Sequence, residues 1–321
     1  MGIDVLFIHP GNQKKNYQEL SNEFTAIATP VWTALLAQYI RAQGYTPVIY
    51  DVNVEGWDAQ SRAELLQRYS PRLIVMMVYG HNPSASTQVM PAAGRIARDI
   101  EAFNKNIPVA MGGLHPSALP ERTLREEAID FVIQGEGPYT IKGLLDSLTG
   151  KLSLREVPGL WYRNKEGVIE NNGPSAVVGD LDKELPGYAW DLLPALSRYR
   201  AHNMHCFPDE VRSPYATIYT SLGCPYSCHY CCINALFGKP GIRYWQVERV
   251  VGWIEELCHT YKVKNIRFED ELFILSPERV ERFCDLMIEK DLGVNIWAYG
   301  RVDTIPERLL EKLKKAGVNW I

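Results

Sequence analysis

The sequence lacks any apolar run long enough to cross a membrane. Its longest run, residues 73–79, falls far short of the roughly 20 residues that a spanning helix needs. The opening stretch, MGIDVLFIHP, also lacks the basic region and long apolar segment of a signal peptide, and it is typical of a buried strand. These absences predict a cytoplasmic protein without a membrane span.

A strong charge of either sign is missing as well. The 321 residues include 34 Lys and Arg against 38 Asp and Glu, which gives a net charge of −4 at pH 7. Such a chain has no general electrostatic attraction to nucleic acid or anionic lipid, so no nucleic-acid partner is expected. Hydrophobic residues make up 46% and charged residues 22%, the usual proportions of a globular protein. The length allows two domains or one large barrel.

Residues 1–150 alternate strand and helix patterns. Strands are predicted at 3–8, 47–50, 73–79, 108–111 and 129–133, with helices that include Val31–Ala42 and 88–103. Five strands joined by helices predict a Rossmann-like, flavodoxin-type five-stranded parallel sheet with right-handed crossovers. Sheets of this kind bind ligands at the carboxyl ends of their strands.

Polar and glycine-rich loops follow four of these strands, at residues 9–11, 79–82, 112–116 and 135–137. Because the four loops share one edge of the sheet, they predict a flat ligand that lies across that edge. The alternative is that the glycines only serve tight turns, as they do in any α/β fold.

Residues 151–214 break the alternation and predict a connector. A small hairpin is expected at 157–162 and 167–170, and residues 180–199 are rich in Pro, Leu and Trp without a clear period. The stretch is too apolar to stay solvated, so we expect it to pack between two domains.

Alternation resumes in residues 215–321, with strands predicted at 216–221, 264–269, 294–299 and 318–321. Helices are predicted at 246–261, Pro277–Lys290 and 306–316. This is the pattern of a partial TIM-type (β/α) barrel, of which only the first half is present. An apolar strand is an unstable place for a chain to end, so we expect a truncated barrel or a missing pairing partner.

Four of the seven cysteines lie in SLGCPYSCHYCC, residues 221–232: Cys224, Cys228, Cys231 and Cys232. A structural zinc site normally takes four ligands from two distant pairs, and the sequence has no second CxxC. Three thiolates in one loop instead suit a 4Fe-4S cluster that keeps one iron free of protein ligands. The spacing allows either Cys231 or Cys232 to be the third ligand.

The stretch CPYSCHYC resembles the CxxxCxxC signature of the radical S-adenosylmethionine (SAM) enzymes. That signature usually has an aromatic residue before its third cysteine, and Tyr230 takes this position. The resemblance therefore implies Cys224, Cys228 and Cys231 as cluster ligands and leaves Cys232 to the packing of the loop. It also implies that SAM binds the open iron beside Tyr230, and that an electron donor such as flavodoxin or ferredoxin reduces the cluster.

Residues 111–140, MGGLHPSALPERTLREEAIDFVIQGEGPYT, resemble the cobalamin-binding domain that precedes the barrel in one subgroup of these enzymes. The stretches PGLWYRNKEGVI and AWDLLPALSRY resemble its connector. The resemblance implies cobalamin contacts from the edge loops: His9, Pro10, Tyr79, Gly112, Gly113, His115, Ser117, Gly135, Glu136 and Gly137. No DxHxxG occurs, so cobalamin is expected base-off without a histidine ligand, and loop hydrogen bonding is the expected role of His9 and His115.

Two further stretches resemble the SAM site of the wider family. Glu269 and Asp270 end the second barrel strand, where the family places acceptors for the SAM amino group, and carboxylates suit that ammonium. The alternative is a solvated acidic turn. Arg301, after the third strand, is a candidate for the SAM carboxylate or a substrate anion, or for a plain salt bridge.

The function that the resemblance implies is methylation of an unactivated carbon in a small-molecule or natural-product substrate. One alternative is a reaction without methyl transfer, such as ring formation by the anaerobic magnesium-protoporphyrin monomethyl ester cyclase, which the IHPGN stretch faintly resembles. A second alternative is a non-catalytic cobalamin-binding module, although the complete cysteine triad argues against it.

Overall fold

The computed structural model describes residues 2–11, 24–80, 85–206 and 211–321. His81 and Asn82, which belong to one of the predicted edge loops, lie outside these ranges. Within them, no helix combines the length and the hydropathy that a membrane crossing requires.

The first sheet has the flavodoxin-type order β2-β1-β3-β4-β5, continued by β6 and β7. Strands β1 to β5 pair in parallel, whereas β6 and β7 are antiparallel. Their bounds are β1 Val5–His9, β2 Pro47–Asp51, β3 Leu73–Val78, β4 Val109–Gly113, β5 Phe131–Ile133, β6 Leu160–Arg163 and β7 Ile169–Asn171. The parallel part is confirmed. The predicted number of five strands was wrong, because the hairpin expected in the connector pairs with β5 and adds two strands to the sheet.

Helices cover both faces of this sheet. They are α1 Val31–Ala42, α2 Val52–Glu55, α3 Ala59–Tyr69, α4 Ser86–Phe103, α5 Leu114–Ala118, α6 Pro120–Glu126 and α7 Pro138–Leu148. Alternate residues of each central strand enter two different cores: Val75 packs with α1 and α7, and Ile74 packs with α3 and α4. The continuous apolar strands of the sequence are therefore strands buried on both faces.

The second sheet is the first part of a barrel, in the order β13-β12-β11-β8, with all described pairs parallel. It consists of β8 Tyr215–Ile218, α10 Val247–His259, β11 Asn265–Phe268, α11 Pro277–Lys290, β12 Asn295–Trp297, α12 Glu307–Lys315 and β13 Val318–Trp320. Between β8 and α10 lies an antiparallel hairpin, β9 Ser221–Cys224 and β10 Gly241–Tyr244, which encloses the short helix α9 Asn234–Phe237.

The single strand predicted at 216–221 is wrong, because the chain turns between β8 and β9. The buried carboxylate of Asp270 accepts hydrogen bonds from the Thr220 backbone N–H (2.6 Å), the Thr220 hydroxyl (2.7 Å) and the Ser221 hydroxyl (2.5 Å). These bonds tie residues 220 and 221 to the loop that follows β11, at the point where β9, the first strand of the hairpin, begins.

The connector contains the short helix α8 Leu181–Glu184 and packs between the sheet and the barrel. The Ala189 N–H donates to the Ala34 carbonyl of α1, and the Tyr188 hydroxyl donates to the Tyr219 carbonyl after β8. The Tyr188 ring also meets the Trp253 ring of α10 edge to face at 5.1 Å. One continuous apolar core therefore includes residues of the sheet, the connector and the barrel.

Asp51, the last residue of β2, carries a buried carboxyl group. Its Oδ1 accepts a hydrogen bond from the Asn53 N–H and caps α2, whereas Oδ2 has no hydrogen-bond partner among the described residues. Burial disfavours the charged form and raises the pKa of Asp51 to about 7. The folded protein therefore keeps a proton that the unfolded chain releases above pH 4.

We expect Asp51→Asn to stabilise the protein at pH 8 by about 2–4 kcal/mol, since asparagine caps equally well and carries no charge. In the wild type, the free energy of unfolding should fall as pH rises from about 4 to about 7, at up to 1.4 kcal/mol per pH unit. Urea unfolding at several pH values measures both effects. Asp58, an exposed cap whose pKa is lowered by hydrogen bonds from Ser61, is the control, and Asp58→Asn should give no gain. Equal pH profiles for Asp51→Asn and wild type would contradict the assignment.

Candidate functional site

Two adjoining cavities lie where the carboxyl ends of the first sheet face those of the barrel. The first, of about 90 Å³, is lined by the loops after β1 and β3 and by the segment before α1. The second, of about 220 Å³, is lined by the cysteine loop and the ends of β11 and β12. Five residues line both: Trp32, Tyr79, Gly80, Tyr219 and Glu269. The fold therefore brings the predicted edge and the predicted cluster loop to one site.

An aromatic wall of Trp32, Tyr79 and Tyr219 stands between the two cavities. The Trp32 ring lies 5.4 Å from the Tyr79 ring and 5.5 Å from the Tyr219 ring. The Trp32 indole N–H donates to the Glu136 carbonyl at 3.2 Å, which fixes the ring. The buried Tyr79 hydroxyl has no hydrogen-bond partner among the described residues, and burial raises its pKa. It is thus free to bond a ligand at the junction.

Three of the four clustered cysteines, Cys224, Cys228 and Cys231, line the second cavity. Cys224 ends β9, and a turn in which the Cys231 N–H donates to the Cys228 carbonyl (3.0 Å) brings the loop back. Cys232 does not line this cavity and packs against the apolar core. Burial raises the pKa of the Cys224 and Cys232 thiols, so a thiolate at Cys224 needs a positively charged partner.

The described ranges contain no set of three His, Cys, Asp or Glu side chains that converge on one metal ion. In a mononuclear site such as zinc, all ligands contact the same ion. In a 4Fe-4S cluster each cysteine binds a different iron, so its ligands surround the cluster rather than one point. Three thiols around one cavity fit that donor set.

The three carboxylates after β11 have different roles. Asp270 lines the second cavity, and its fully buried carboxylate accepts hydrogen bonds from residues 220 and 221. Glu269 lines both cavities but is paired with Arg267, whose Nε lies 2.9 Å from Oε1. Glu271 lines the second cavity, its Oε2 has no partner among the described residues, and burial raises its pKa to about 8.

Sequence reasoning missed Glu271 as a site residue, although it directly follows the two predicted acids in the FEDE stretch. All three acids line the second cavity, and once β11 ends at Phe268 the alternation of a strand no longer distinguishes their roles. The deciding contact is the capture of Asp270 by Thr220, which lies 50 positions away in the chain.

Arg301, in the loop after β12, reaches the cysteine loop. Its Nη1 lies 3.7 Å from the Cys228 Sγ, and its guanidinium lies 4.1 Å from the centroid of the Tyr226 ring. Nε and Nη2 form a bidentate pair with the Asp303 carboxylate, at 2.9 and 2.8 Å. This ion pair raises the pKa of Arg301, which stays charged. Tyr230, predicted beside SAM, lines the same cavity and is 85% exposed.

Three of the ten predicted cobalamin contacts, His9, Pro10 and Tyr79, line the first cavity. The structure places the other seven outside the lining of both cavities: Gly112, Gly113, His115, Ser117, Gly135, Glu136 and Gly137.

Several of these seven make contacts within the protein. Gly113 has φ +117°, and a Cβ there would lie 2.2 Å from the Val78 carbonyl oxygen, so its glycine serves the close approach of two strands. The Ser117 hydroxyl accepts from the Gly135 N–H at 3.0 Å. The His115 Nδ1 and the Thr87 hydroxyl are hydrogen-bonded at 3.0 Å, the role expected for this histidine.

Glu136 ties the first sheet to the hairpin that carries the cysteines. Its buried carboxylate pairs with Arg243 of β10, at 2.5 Å from Nη2 to Oε1 and 3.2 Å from Nη1 to Oε2. It also accepts from the Val178 N–H at 2.6 Å. The Arg243 guanidinium packs over the Phe237 ring of α9 at 5.4 Å. The structure thus makes Glu136 a contact between domains.

Comparisons with known proteins agree with an architecture in which the strand ends of a flavodoxin-type sheet face a barrel that carries a CxxxCxxC loop. The family model of the B12-binding domain matches residues 20–145. The sequence is 30% identical over 293 residues to an uncharacterized methyltransferase of Pyrococcus horikoshii, which covers 91% of this chain and 59% of that protein. The chain therefore contains a B12-binding domain, and it is similar in sequence to a methyltransferase and in fold to cobalamin-dependent radical SAM enzymes, the family that its motifs resemble.

Another relative is named for a different reaction. The anaerobic magnesium-protoporphyrin IX monomethyl ester cyclase of Rubrivivax gelatinosus is 27% identical over 325 residues, 98% of this chain and 54% of that protein. The chain thus spans little more than half the length of these relatives.

Two solved structures share the fold. The cobalamin-dependent SAM radical enzyme OxsB, with aqua-cobalamin and SAM bound, has a TM-score of 0.72 at 21% identity, over 98% of this chain and 42% of that one. The radical SAM methyltransferase TsrM of Kitasatospora setae, with cobalamin and a 4Fe-4S cluster bound, has a TM-score of 0.73 at 18% identity, over 99% and 57%.

Proposed function

We propose that this protein is a cytoplasmic cobalamin-dependent radical SAM methyltransferase that methylates an unactivated carbon of a small-molecule substrate. The observation that carries the proposal is the junction of the two cavities, at which the sheet edge and the cysteine loop share one aromatic wall. The methyltransferase relative and the B12-binding match support it. The proposed units are a cobalamin-binding domain at 1–150, a connector at 151–214 and a barrel at 215–321.

The residues of the site fit the cofactors of this reaction. Cys224, Cys228 and Cys231 would hold the 4Fe-4S cluster, with flavodoxin or ferredoxin as the electron donor. Cobalamin, base-off and without a histidine ligand, would lie against the loops after β1 and β3, near His9 and Tyr79. Bound together, the cluster and SAM would supply a 5′-deoxyadenosyl radical, and cobalamin would supply the methyl group.

The protein's own groups would orient and shield these cofactors. Glu271, which lines the second cavity, would accept hydrogen bonds from the SAM ammonium, and the cation would offset the burial that disfavours its charge. Trp32 and Tyr219, both buried, would keep water from the junction where a radical must persist. The Tyr79 hydroxyl would bond a cofactor or the substrate from the same wall.

Product analysis tests the proposal. The protein is reconstituted anaerobically with iron, sulfide and cobalamin, then reduced and incubated with SAM. S-adenosylhomocysteine together with 5′-deoxyadenosine is expected. 5′-Deoxyadenosine alone would indicate a radical reaction without methyl transfer. The absence of both products, despite a reduced cluster, would indicate a cobalamin-binding module.

The second candidate function is a radical reaction without methyl transfer, such as ring formation. The cyclase of Rubrivivax gelatinosus matches 98% of this chain, a larger share than the methyltransferase relative does. Its sequence identity to this chain is lower than that of the methyltransferase relative, so ring formation is the second candidate.

A further inference from the structure

Arg301 is held against the cysteine loop by three different groups. Nη1 lies 3.7 Å from the Cys228 Sγ, and the guanidinium carbon lies 4.1 Å from the centroid of the Tyr226 ring. The Asp303 carboxylate accepts hydrogen bonds from Nε and Nη2. Stacking on an aromatic ring and a bidentate carboxylate pair are the two interactions that fix a guanidinium best. The side chain is therefore aimed at the sulfur.

The geometry also decides which ligand Arg301 can take. A guanidinium binds a carboxylate through two parallel N–H bonds, and Asp303 already occupies the fork formed by Nε and Nη2. Nη1 is the remaining nitrogen, and it contacts the thiol of a cluster cysteine. The SAM carboxylate predicted from the sequence would have to bind the other fork, formed by Nη1 and Nη2, and would compete there with the Cys228 sulfur.

We propose that Arg301 is a positioning residue that raises the reduction potential of the cluster through a charge-assisted N–H···S bond to Cys228. This inference rests on the proposed function, because it requires the cluster. Hydrogen bonds to the cysteine sulfurs and net charge are among the factors that set the potential of an iron–sulfur cluster. Reduction adds one negative charge to the cluster, so a fixed positive donor at the sulfur stabilises the reduced form more than the oxidised form.

The test is a reductive titration of the reconstituted protein with dithionite in the absence of SAM, followed by electron paramagnetic resonance. Arg301→Gln should bind the same amount of iron but require a more negative potential, with severalfold less reduced cluster at a fixed potential. Arg301→Lys keeps the charge but loses the fork and the stacking, so its shift should be smaller. Arg308→Gln removes the same charge from the exposed pair with Glu281 on α11 and should leave the potential unchanged.

Other results of these measurements would contradict the proposal or require a second variant. An unchanged potential for Arg301→Gln without SAM, with weaker SAM binding, would overturn the proposal and return Arg301 to the SAM carboxylate. If Arg301→Gln does not take up iron, Tyr226→Leu serves instead, because it leaves the arginine and removes its stacking surface. A negative shift in that variant supports the proposal, and no shift refutes it. A wild-type protein that binds no cluster would refute the proposed function itself.

Discussion

Cys231→Ala is expected to abolish cluster binding, whereas Cys232→Ala is expected to leave it intact. The two thiols are adjacent in the chain and both residues pack against the apolar core, but Cys231 lines the second cavity with Cys224 and Cys228, whereas Cys232 does not. A cluster with one protein-free iron needs three thiolates, and loss of one leaves two irons without a protein ligand. Iron and sulfide content and the absorbance near the visible charge-transfer bands measure the effect.

The pair controls for its own side effects, because both variants remove one thiol from the same loop. A small loss of stability in Cys232→Ala is expected, since its sulfur is half-buried. If Cys232→Ala loses the cluster and Cys231→Ala retains it, then the third ligand is Cys232, and the CxxxCxxxC spacing replaces CxxxCxxC.

Local patterns predicted the regular elements well. Helices α1 and α11 have the predicted bounds, because each combines an apolar stripe with a clear end, such as the Ser276 cap that accepts from the Arg279 N–H. The strand order follows from the alternation of strands and helices, since right-handed crossovers leave few arrangements. These features depend on residues that are neighbours in the chain.

Contacts between distant residues could not be predicted in the same way. The hairpin at β6 and β7 looks like an isolated unit until it pairs with β5 through Tyr162 and Phe131. The sequence likewise predicted the same contact for Glu269 and Asp270 and missed Glu271, whereas the structure pairs Glu269 with Arg267 and Asp270 with Thr220. The sequence alone therefore groups residues of one loop, such as the cysteines, but it does not reveal roles that depend on the packing of distant residues.

Glu136 shows the same limit in a family motif. Its place in the GEG stretch after β5 predicted a cobalamin contact, yet its carboxylate points to Arg243 in the barrel hairpin. The partner lies 107 positions further along the chain, and no local pattern links the two. The motif identified an edge loop, and the fold determined what the side chain of that loop does.

Arg243→Met is expected to destabilise the protein by about 3–5 kcal/mol, because it leaves the buried Glu136 carboxylate without its cation. The Glu136 side chain is 2% exposed, so water cannot replace the lost partner. Glu136→Gln should restore part of the stability of Arg243→Met, since the amide has no charge to desolvate and its oxygen can still accept from the Val178 N–H. Denaturant unfolding of the two single variants and the double variant measures this coupling.

The exposed pair of Arg282 and Glu248 provides the control, because both side chains are 56% exposed and Arg282→Met should cost under about 1 kcal/mol. Loss of the Arg243 ion pair should also disturb the cluster loop. Strand β10 pairs with β9 through Gly241 and Cys224, and this pairing positions the first cluster cysteine. Iron occupancy of Arg243→Met should therefore fall at temperatures where its secondary structure persists. Equal losses of unfolding free energy in Arg243→Met and Arg282→Met would show that the ion pair between the sheet and the hairpin contributes little to stability. The shared apolar core alone would then hold the two cofactor regions together.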